Sequence, residues 1–224
     1  MMKLNKLAVL ISIISFVLAP TVLAAGVFAV SSVPFTSQAP LAEWRDQRQQ
    51  DGCEEAVSLM AMWLVKSQAA PTKAEAKKQL LAISDFEKKK YGEYRDVALS
   101  DMITWIFKDY FKYEKVRLVK DLKLSDLKSE LAAGHVLLLP MNGQRLKNPY
   151  FTAPGPERHM ILVYGYDPAK KEFITNDPGT RRGAAYRYPE KILFDAIRAY
   201  PTGYHKAIKK LEKAMIVVEL AKDK

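Results

Sequence analysis

Apolar residues recur at helical intervals through much of the first half of the chain. Residues 53–66 contain no glycine or proline, and their apolar side chains fall at helical spacing, which predicts an amphipathic helix beginning at Cys53. Thr72, with a glutamate three residues later, forms a capping pattern that predicts a second helix over residues 72–83. A serine opens each of two further predicted helices, residues 100–111 and 125–133.

After Gly134 the pattern changes to short apolar or β-branched runs separated by turn residues, which is typical of strands. The predicted strands are residues 136–141, 160–166, 172–175, 185–188 and 214–220. An extended segment over residues 33–38 and a helix over residues 189–200 complete the expected elements. A helical front half and a strand-rich back half predict an α+β fold, with helices packed on an antiparallel sheet.

The first residues have the composition of a secretory signal peptide. Residues 1–6 include two lysines and no acid, residues 7–24 are uncharged, and small residues end the run at Ala24. We expect cleavage near Ala24 and export to the periplasm, the cell surface or the extracellular space, with residues 25–224 forming a single domain. The alternative is a retained anchor, which would be the chain's one attachment to a membrane, because about 18 uncharged residues approach the length of a membrane span.

Composition and charge narrow the range of functions. Hydrophobic residues make up 49% and charged residues 27% of the 224 residues, as in an ordinary globular protein. The net charge of +10 is spread along the chain, without zinc-finger spacing or a basic stripe with interleaved aromatic residues, so we expect no nucleic-acid partner. No group of His, Cys, Asp and Glu has the spacing of metal ligands. Neither a metal nor an organic cofactor is expected, and the domain is expected to be a monomer.

Cys53 is the one cysteine of the chain and cannot form an intramolecular disulfide. An unpaired cysteine in an exported protein is either a reactive thiol or a small buried side chain. The predicted position at a helix N-terminus favours the thiolate, because the helix dipole is positive there. Glu54 and Glu55 act in the opposite direction, since negative charge raises the pKa of a thiol. A reactive Cys53 therefore needs a base nearby.

Of the three histidines, His159 is the best placed to be that base. It opens the most apolar predicted strand, whereas His135 follows Gly134 and His205 lies in a basic polar segment. A short turn joins this strand to the next, so the hairpin returns Asp177 to the side of His159 although 18 positions separate them. A carboxylate there could orient the imidazole. The alternatives are a structural histidine and a turn aspartate, since Asp-Pro-Gly is a strong turn signal.

The chain resembles the peptidase C39-like proteins, which are relatives of the papain-like cysteine peptidases, in the segments VPFTSQAP, QQDGCEEAVSLMAM, NGQRLKNPYFTAPGPERHMILVYGYD and FITNDPGT. The resemblance spans residues 33–220 and implies a papain-like fold. It also implies Cys53 as nucleophile, His159 as base and Asp177 as the orienting acid. A glutamine that stabilises the oxyanion is implied as well; Gln38 is the first candidate, and Gln47, six residues before Cys53, is the alternative.

The resemblance further implies an exported bacterial cysteine peptidase that hydrolyses a peptide or protein substrate through a thioester. The family's transporter-linked members cut leader peptides after paired glycines, but this chain has no transporter segments, so we do not expect that substrate. Two alternatives stay open: an amidase or acyltransferase with the same three residues, and a non-catalytic surface module that binds peptide or wall polymer. The loop over residues 142–159, rich in proline and glycine, is expected to shape the cleft.

Overall fold

The computed structural model describes residues 26–220. The signal peptide expected over residues 1–24 lies outside these residues. Within residues 26–220, no helix combines the length and the apolar character needed to cross a bilayer.

A seven-stranded antiparallel sheet forms the centre of the described part of the chain. Its strands are β1 (Phe28–Ala29), β2 (Val116–Lys120), β3 (Val136–Met141), β4 (His159–Asp167), β5 (Glu172–Asn176), β6 (Tyr186–Pro189) and β7 (Ala214–Val218). Their order across the sheet is β2-β7-β3-β4-β5-β6, and β1 pairs with the part of β4 that lies beyond β3. His159 begins β4, in register with the last residue of β3, Met141.

Helices surround this sheet. They are α1 (Gln47–Gln50), α2 (Cys53–Val65), α3 (Lys73–Tyr91), α4 (Leu99–Asp101), α5 (Leu124–Ala132), α6 (Gly143–Leu146) and α7 (Glu190–Ala196). A π-helical segment, Met102–Tyr110, continues directly from α4. The predicted helix over residues 100–111 therefore exists, but most of it has the wider π geometry.

Several predicted boundaries differ from those of the structure. The second helix does not end at residue 83 but runs to Tyr91, because its polar second half consists of helix-forming residues and Gly92 ends it with a left-handed φ of 81°. The helix predicted over 189–200 covers only Glu190–Ala196. Strand β2 was not predicted, and the segment expected to be extended, residues 33–38, is not paired into the sheet.

Two apolar layers lie on opposite faces of the sheet, which explains why β3, β4 and β7 read as continuous apolar runs. Alternate side chains of β3 belong to different layers: Leu138 packs with α2, α3 and the π-helical segment, and Leu137 packs with α5 and α7. Helix α2 is buried almost all round, from Cys53 to Trp63. The resulting mixture of helices and antiparallel sheet confirms the predicted α+β class.

The layer between α2 and α3 contains an unusual pair of buried acids, Glu55 and Glu87. Ser84 donates a 2.7 Å hydrogen bond to Glu55 Oε1. Within residues 26–220, the other Glu55 oxygen and both Glu87 oxygens have no hydrogen-bond donor. Burial, reinforced by neighbouring negative charge, raises the pKa of both carboxyl groups well above the usual range. The two acids are therefore a cost to the fold wherever one of them is ionised.

Replacing Glu87 with Gln should stabilise the protein, and by more at pH 8 than at pH 5. A carboxyl group whose pKa is higher in the folded state contributes most at low pH, and that contribution is lost as the pH rises above its unfolded value of about 4.3. The amide cannot ionise, so the free energy of unfolding should increase by about 1–3 kcal/mol at pH 8. Urea denaturation at both pH values measures the difference.

Glu75→Gln is the matched control, because Glu75 lies in the first turn of the same helix with its side chain 44% exposed, and an amide oxygen there can still accept from Gln79. It should change stability little at either pH. An equal effect of Glu87→Gln at pH 5 and pH 8 would contradict the account of the buried acids.

Candidate active site

Cys53 occupies the first position of α2, and Gly52 before it allows that position to form. A Cβ atom on Gly52 would lie 2.5 Å from the backbone oxygen of Arg48, so only glycine lets the short helix α1 approach so closely. The Cys53 side chain is 7% exposed and faces a cleft of about 1220 Å³. Burial, followed by the charge of Glu54, raises the pKa of the Cys53 thiol well above its usual range.

His159, at the start of β4, lines the same cleft. Its Nε2 lies 2.7 Å from Asp177 Oδ1, and only 2% of its side chain is exposed. The Phe151 ring meets the imidazole edge to face, with 5.3 Å between the ring centroids. Because Nε2 donates to a carboxylate, Nδ1 is the nitrogen left to exchange a proton within the cleft.

Asp177 is fully buried immediately after β5 and is held by donors from four different residues. Its Oδ1 accepts from His159 and from the Gly179 backbone N–H at 3.0 Å. Its Oδ2 accepts from the Tyr188 hydroxyl at 2.6 Å and from Asn148 Nδ2 at 3.3 Å. Burial alone would raise the pKa of Asp177, but the charge and the hydrogen bond of His159, with the other donors, hold it below its usual range.

The hairpin argument from the sequence therefore gives the right neighbour for His159. β4 and β5 pair with Leu162 opposite Asn176, so the residue after β5 lies beside the first residues of β4. The supporting residues Tyr188 and Asn148 were not predicted. They lie 11 and 29 positions from Asp177, on β6 and after α6, and no sequence motif links them to it.

The two candidate glutamines lie in different environments. Gln38 is 5% exposed and lines the cleft, whereas Gln47 lies in α1 outside it and donates to the side chain of Asp51. Gln38 Nε2 donates to the backbone oxygens of Gln49 and Gln50, at 3.1 and 2.8 Å. To donate to an oxyanion beside Cys53, Gln38 Nε2 would thus have to give up one of its two hydrogen bonds to the backbone of α1.

The loop between β3 and β4 forms much of the cleft wall, as the sequence predicts. Residues 150–158 line the cleft, and α6 occupies the beginning of the loop. Arg158 secures the end of this wall: its guanidinium lies 3.4 Å from Asp96 Oδ2 and donates to His205 Nδ1 at 2.8 Å and to the backbone oxygen of Lys206. His205, the third histidine, thus belongs to this wall rather than to the pair formed by His159 and Asp177.

Within residues 26–220, no three His, Cys, Asp or Glu side chains are grouped in a way that could hold a metal ion. What the arrangement offers is a thiol and a carboxylate-bound imidazole in one cleft. That combination suits nucleophilic acyl transfer.

The model of the Peptidase_C39 like family matches residues 30–208. The chain belongs to this family. Its fold is similar to that of a protein from Bacillus anthracis assigned as a C39-like peptidase, with 16% identity and a TM-score of 0.52 over 88% of this chain and 100% of that one. Xylellain, a cysteine protease from Xylella fastidiosa, overlaps with 14% identity and a TM-score of 0.45 over 76% of this chain and 80% of that one. No match was found among curated proteins.

Membership confirms the resemblance read from the sequence, and the C39-like, papain-like fold is the one expected from it. The matched residues include Gln38, Cys53, His159 and Asp177.

Gly179→Ala should disable the imidazole of this C39-like chain while leaving the fold intact. An added Cβ would lie 2.9 Å from His159 Cε1 and 3.0 Å from Phe151 Cε1, so the ring must move. Displacing the imidazole should lower the reactivity of Cys53 by about ten- to a hundredfold if the ring exchanges a proton with the thiol. The rate of Cys53 inactivation by an irreversible thiol reagent measures this loss.

Gly26→Ala is the control, because no atom lies within 4 Å of the added Cβ. It should react at the wild-type rate. A Gly179→Ala protein that reacts equally fast would show that the position of the ring is not critical.

Proposed function

We propose that this C39-like chain is a cysteine peptidase, with Cys53 as nucleophile, His159 as base and Asp177 as the acid that orients the imidazole. The observation that carries the proposal is the 2.7 Å hydrogen bond from His159 Nε2 to a fully buried carboxylate. It fixes the tautomer in which Nδ1 can accept a proton, inside the cleft that Cys53 lines.

The reaction begins with the thiol proton. Because the pKa of Cys53 is raised, His159 Nδ1 must take the Sγ proton before or as Sγ attacks the carbonyl carbon of the substrate. The carbonyl oxygen becomes an oxyanion near the N-terminus of α2, where the helix dipole is positive, with Gln38 as the candidate side-chain donor.

The tetrahedral intermediate collapses when His159 returns the proton to the leaving amine. This step breaks the C–N bond and leaves a thioester on Cys53. Water then attacks the thioester, His159 takes a proton from that water, and the carboxylic acid product and the free thiol are released. The steps require no metal and no organic cofactor.

An amidase or acyltransferase would use the same first half of the reaction, and what attacks the thioester would distinguish it. A binding module would need neither the buried carboxylate nor the hydrogen-bonded imidazole, and burying such a pair without a catalytic use is costly. The peptidase is favoured by the size of the cleft, which has a volume of about 1220 Å³, is walled by a long loop and is lined by both Cys53 and His159.

We also propose that the protein is exported, with residues 1–24 removed as a signal peptide, and that it acts as a monomer on a peptide or protein substrate. The proposal of export is supported by the basic start and the uncharged run of the sequence. Expression in a host with an intact secretion pathway, followed by determination of the N-terminal residue, tests it; a mature chain that still begins at Met1 would contradict cleavage.

The three proposed residues should have unequal effects on peptide hydrolysis. Cys53→Ala should abolish turnover, and His159→Ala should come close to that. Asp177→Asn should lose about ten- to a hundredfold, because the amide oxygen can still accept from His159 Nε2, whereas the negative charge is lost and the new N–H₂ faces the N–H₂ of Asn148. Proteome-derived peptide libraries, profiled with wild type beside Cys53→Ala, identify cleaved substrates for steady-state kinetics.

Asp195→Asn is the matched control, since Asp195 is exposed on α7 and pairs with Lys191. It should retain wild-type kinetics. If Cys53→Ala hydrolysed the same peptides as wild type, the proposal would be refuted; acylation without hydrolysis would favour a transferase.

A further inference from the structure

The side chain of Glu54 lies directly against the proposed nucleophile. Cys53 Sγ donates to Glu54 Oε2 at 2.9 Å, and the Tyr200 hydroxyl donates to Glu54 Oε1 at 2.7 Å. Glu54 is 1% exposed, so both carboxyl oxygens are removed from water. The carboxyl group thus touches the atom that would attack the substrate.

The ionisable groups that act most strongly on Glu54 are a thiol, a phenol and acids, and Asp96 among them is itself paired with Arg158. Glu55 is the next residue on α2, and Tyr200, which contacts Glu54, follows α7. The charge of Asp96, in the segment after α3, raises the pKa of Glu54, and the charge of Glu54 raises the pKa of Glu87 on α3. No salt bridge joins Glu54 to a basic side chain within residues 26–220. A negative charge on Glu54 is therefore stabilised by hydrogen bonds from Cys53, Tyr200 and its own backbone N–H rather than by an ion pair.

Burial raises the pKa of Glu54 to about 7, although the hydrogen bonds from Cys53 and Tyr200 lower it. The acid and the carboxylate are thus both populated near neutral pH. A thiolate beside a carboxylate is repelled, whereas a thiolate beside a carboxylic acid accepts a hydrogen bond from its O–H.

We propose that Glu54 acts directly on the nucleophile: as a neutral acid it donates a hydrogen bond to the Cys53 thiolate, and as a carboxylate it accepts one from the thiol. This rests on the proposed function in one respect, that His159 exchanges the proton of Cys53.

The protons balance as follows. In the acid form, Glu54 carries one proton, both nitrogens of His159 are protonated, and Cys53 is a thiolate. When Glu54 loses its proton to solvent, the proton on His159 Nδ1 returns to Sγ, and Cys53 becomes a thiol that donates to the carboxylate. The amount of thiolate therefore falls as Glu54 ionises and rises again only when the thiol itself loses its proton. An isolated thiol behaves oppositely, becoming steadily more reactive as the pH rises.

The rate of Cys53 alkylation by iodoacetamide, followed by intact mass from pH 5.5 to 8.5, tests this directly. In the wild type the rate should fall by about tenfold between about pH 6 and pH 8, because a group with a pKa of about 7 goes from about nine-tenths to about one-tenth acid over that range. Glu54→Gln should remove the fall, because the amide N–H₂ donates to the thiolate at every pH. Glu114→Gln, an exposed change beside Lys108, should follow the wild type.

Tyr200→Phe provides a second test that does not alter Glu54. Without the hydroxyl the carboxylate loses a donor and its pKa rises, so the fall in alkylation should move to higher pH. Tyr113→Phe removes a hydroxyl that donates to the Glu219 backbone and should leave the profile unchanged. Either the Gln or the Phe variant is sufficient to decide the matter if the other does not fold.

The outcomes separate the two proposals. A wild-type rate that rises steadily with pH, matched by Glu54→Gln and Tyr200→Phe, overturns the role of Glu54. If His159→Ala nevertheless reacts more slowly than wild type at pH 6, the proposed function survives that result. If His159→Ala reacts as fast as wild type at every pH, His159 does not activate the thiol, and the proposed function fails as well.

Discussion

The cleft depends on the cost of burying one charge. Asp177 has no contact with water, and a carboxylate in that position is stable only because donors from β4, β6, the loop after α6 and its own turn surround it. These donors come from segments that are distant in the sequence. Satisfying one carboxylate therefore fixes how the ends of three strands and a loop meet, and the His159 ring is oriented as part of the same arrangement.

On the side of the cleft that Cys53 lines, buried carboxyl groups lack the set of donors that surrounds Asp177. Helix α2 is buried nearly all round, and its first turn brings Glu54 and Glu55 into the interior with it. Neither acid has a basic partner among the described residues, unlike Asp177, which has His159. If these two buried acids had only a structural role, neutral residues could replace them with little loss of folding stability. Of the two, Glu54 contacts the thiol, so the stability lost by burying it is linked to the charge on sulfur.

The parts of the site that lie within one hairpin or one helix could be predicted from the sequence. A thiol at a helix start, a histidine at a strand start and an aspartate one hairpin away each follow from local patterns, because strand pairing and helix direction fix where these residues lie. Tyr200 contacts Glu54 across 146 positions, and Tyr188 contacts Asp177 from another strand; neither contact leaves a local signal. The end of α3 was missed because its second half is polar and lacks an apolar period, and the strand β2 was missed because its pairing with β7 rather than a local pattern stabilises it.

The contacts of Arg158 hold the end of the loop that forms the cleft wall. With a single cysteine the chain cannot use an intramolecular crosslink there, so one guanidinium takes the place of one, binding a carboxylate, an imidazole and a backbone oxygen from two other segments. A planar group with several donors in fixed directions can do this, and the single ammonium of a lysine cannot. Because the Arg158 side chain is only 5% exposed, dissolved salt should screen these contacts weakly, and we expect the wall to keep its form over a wide range of ionic strength.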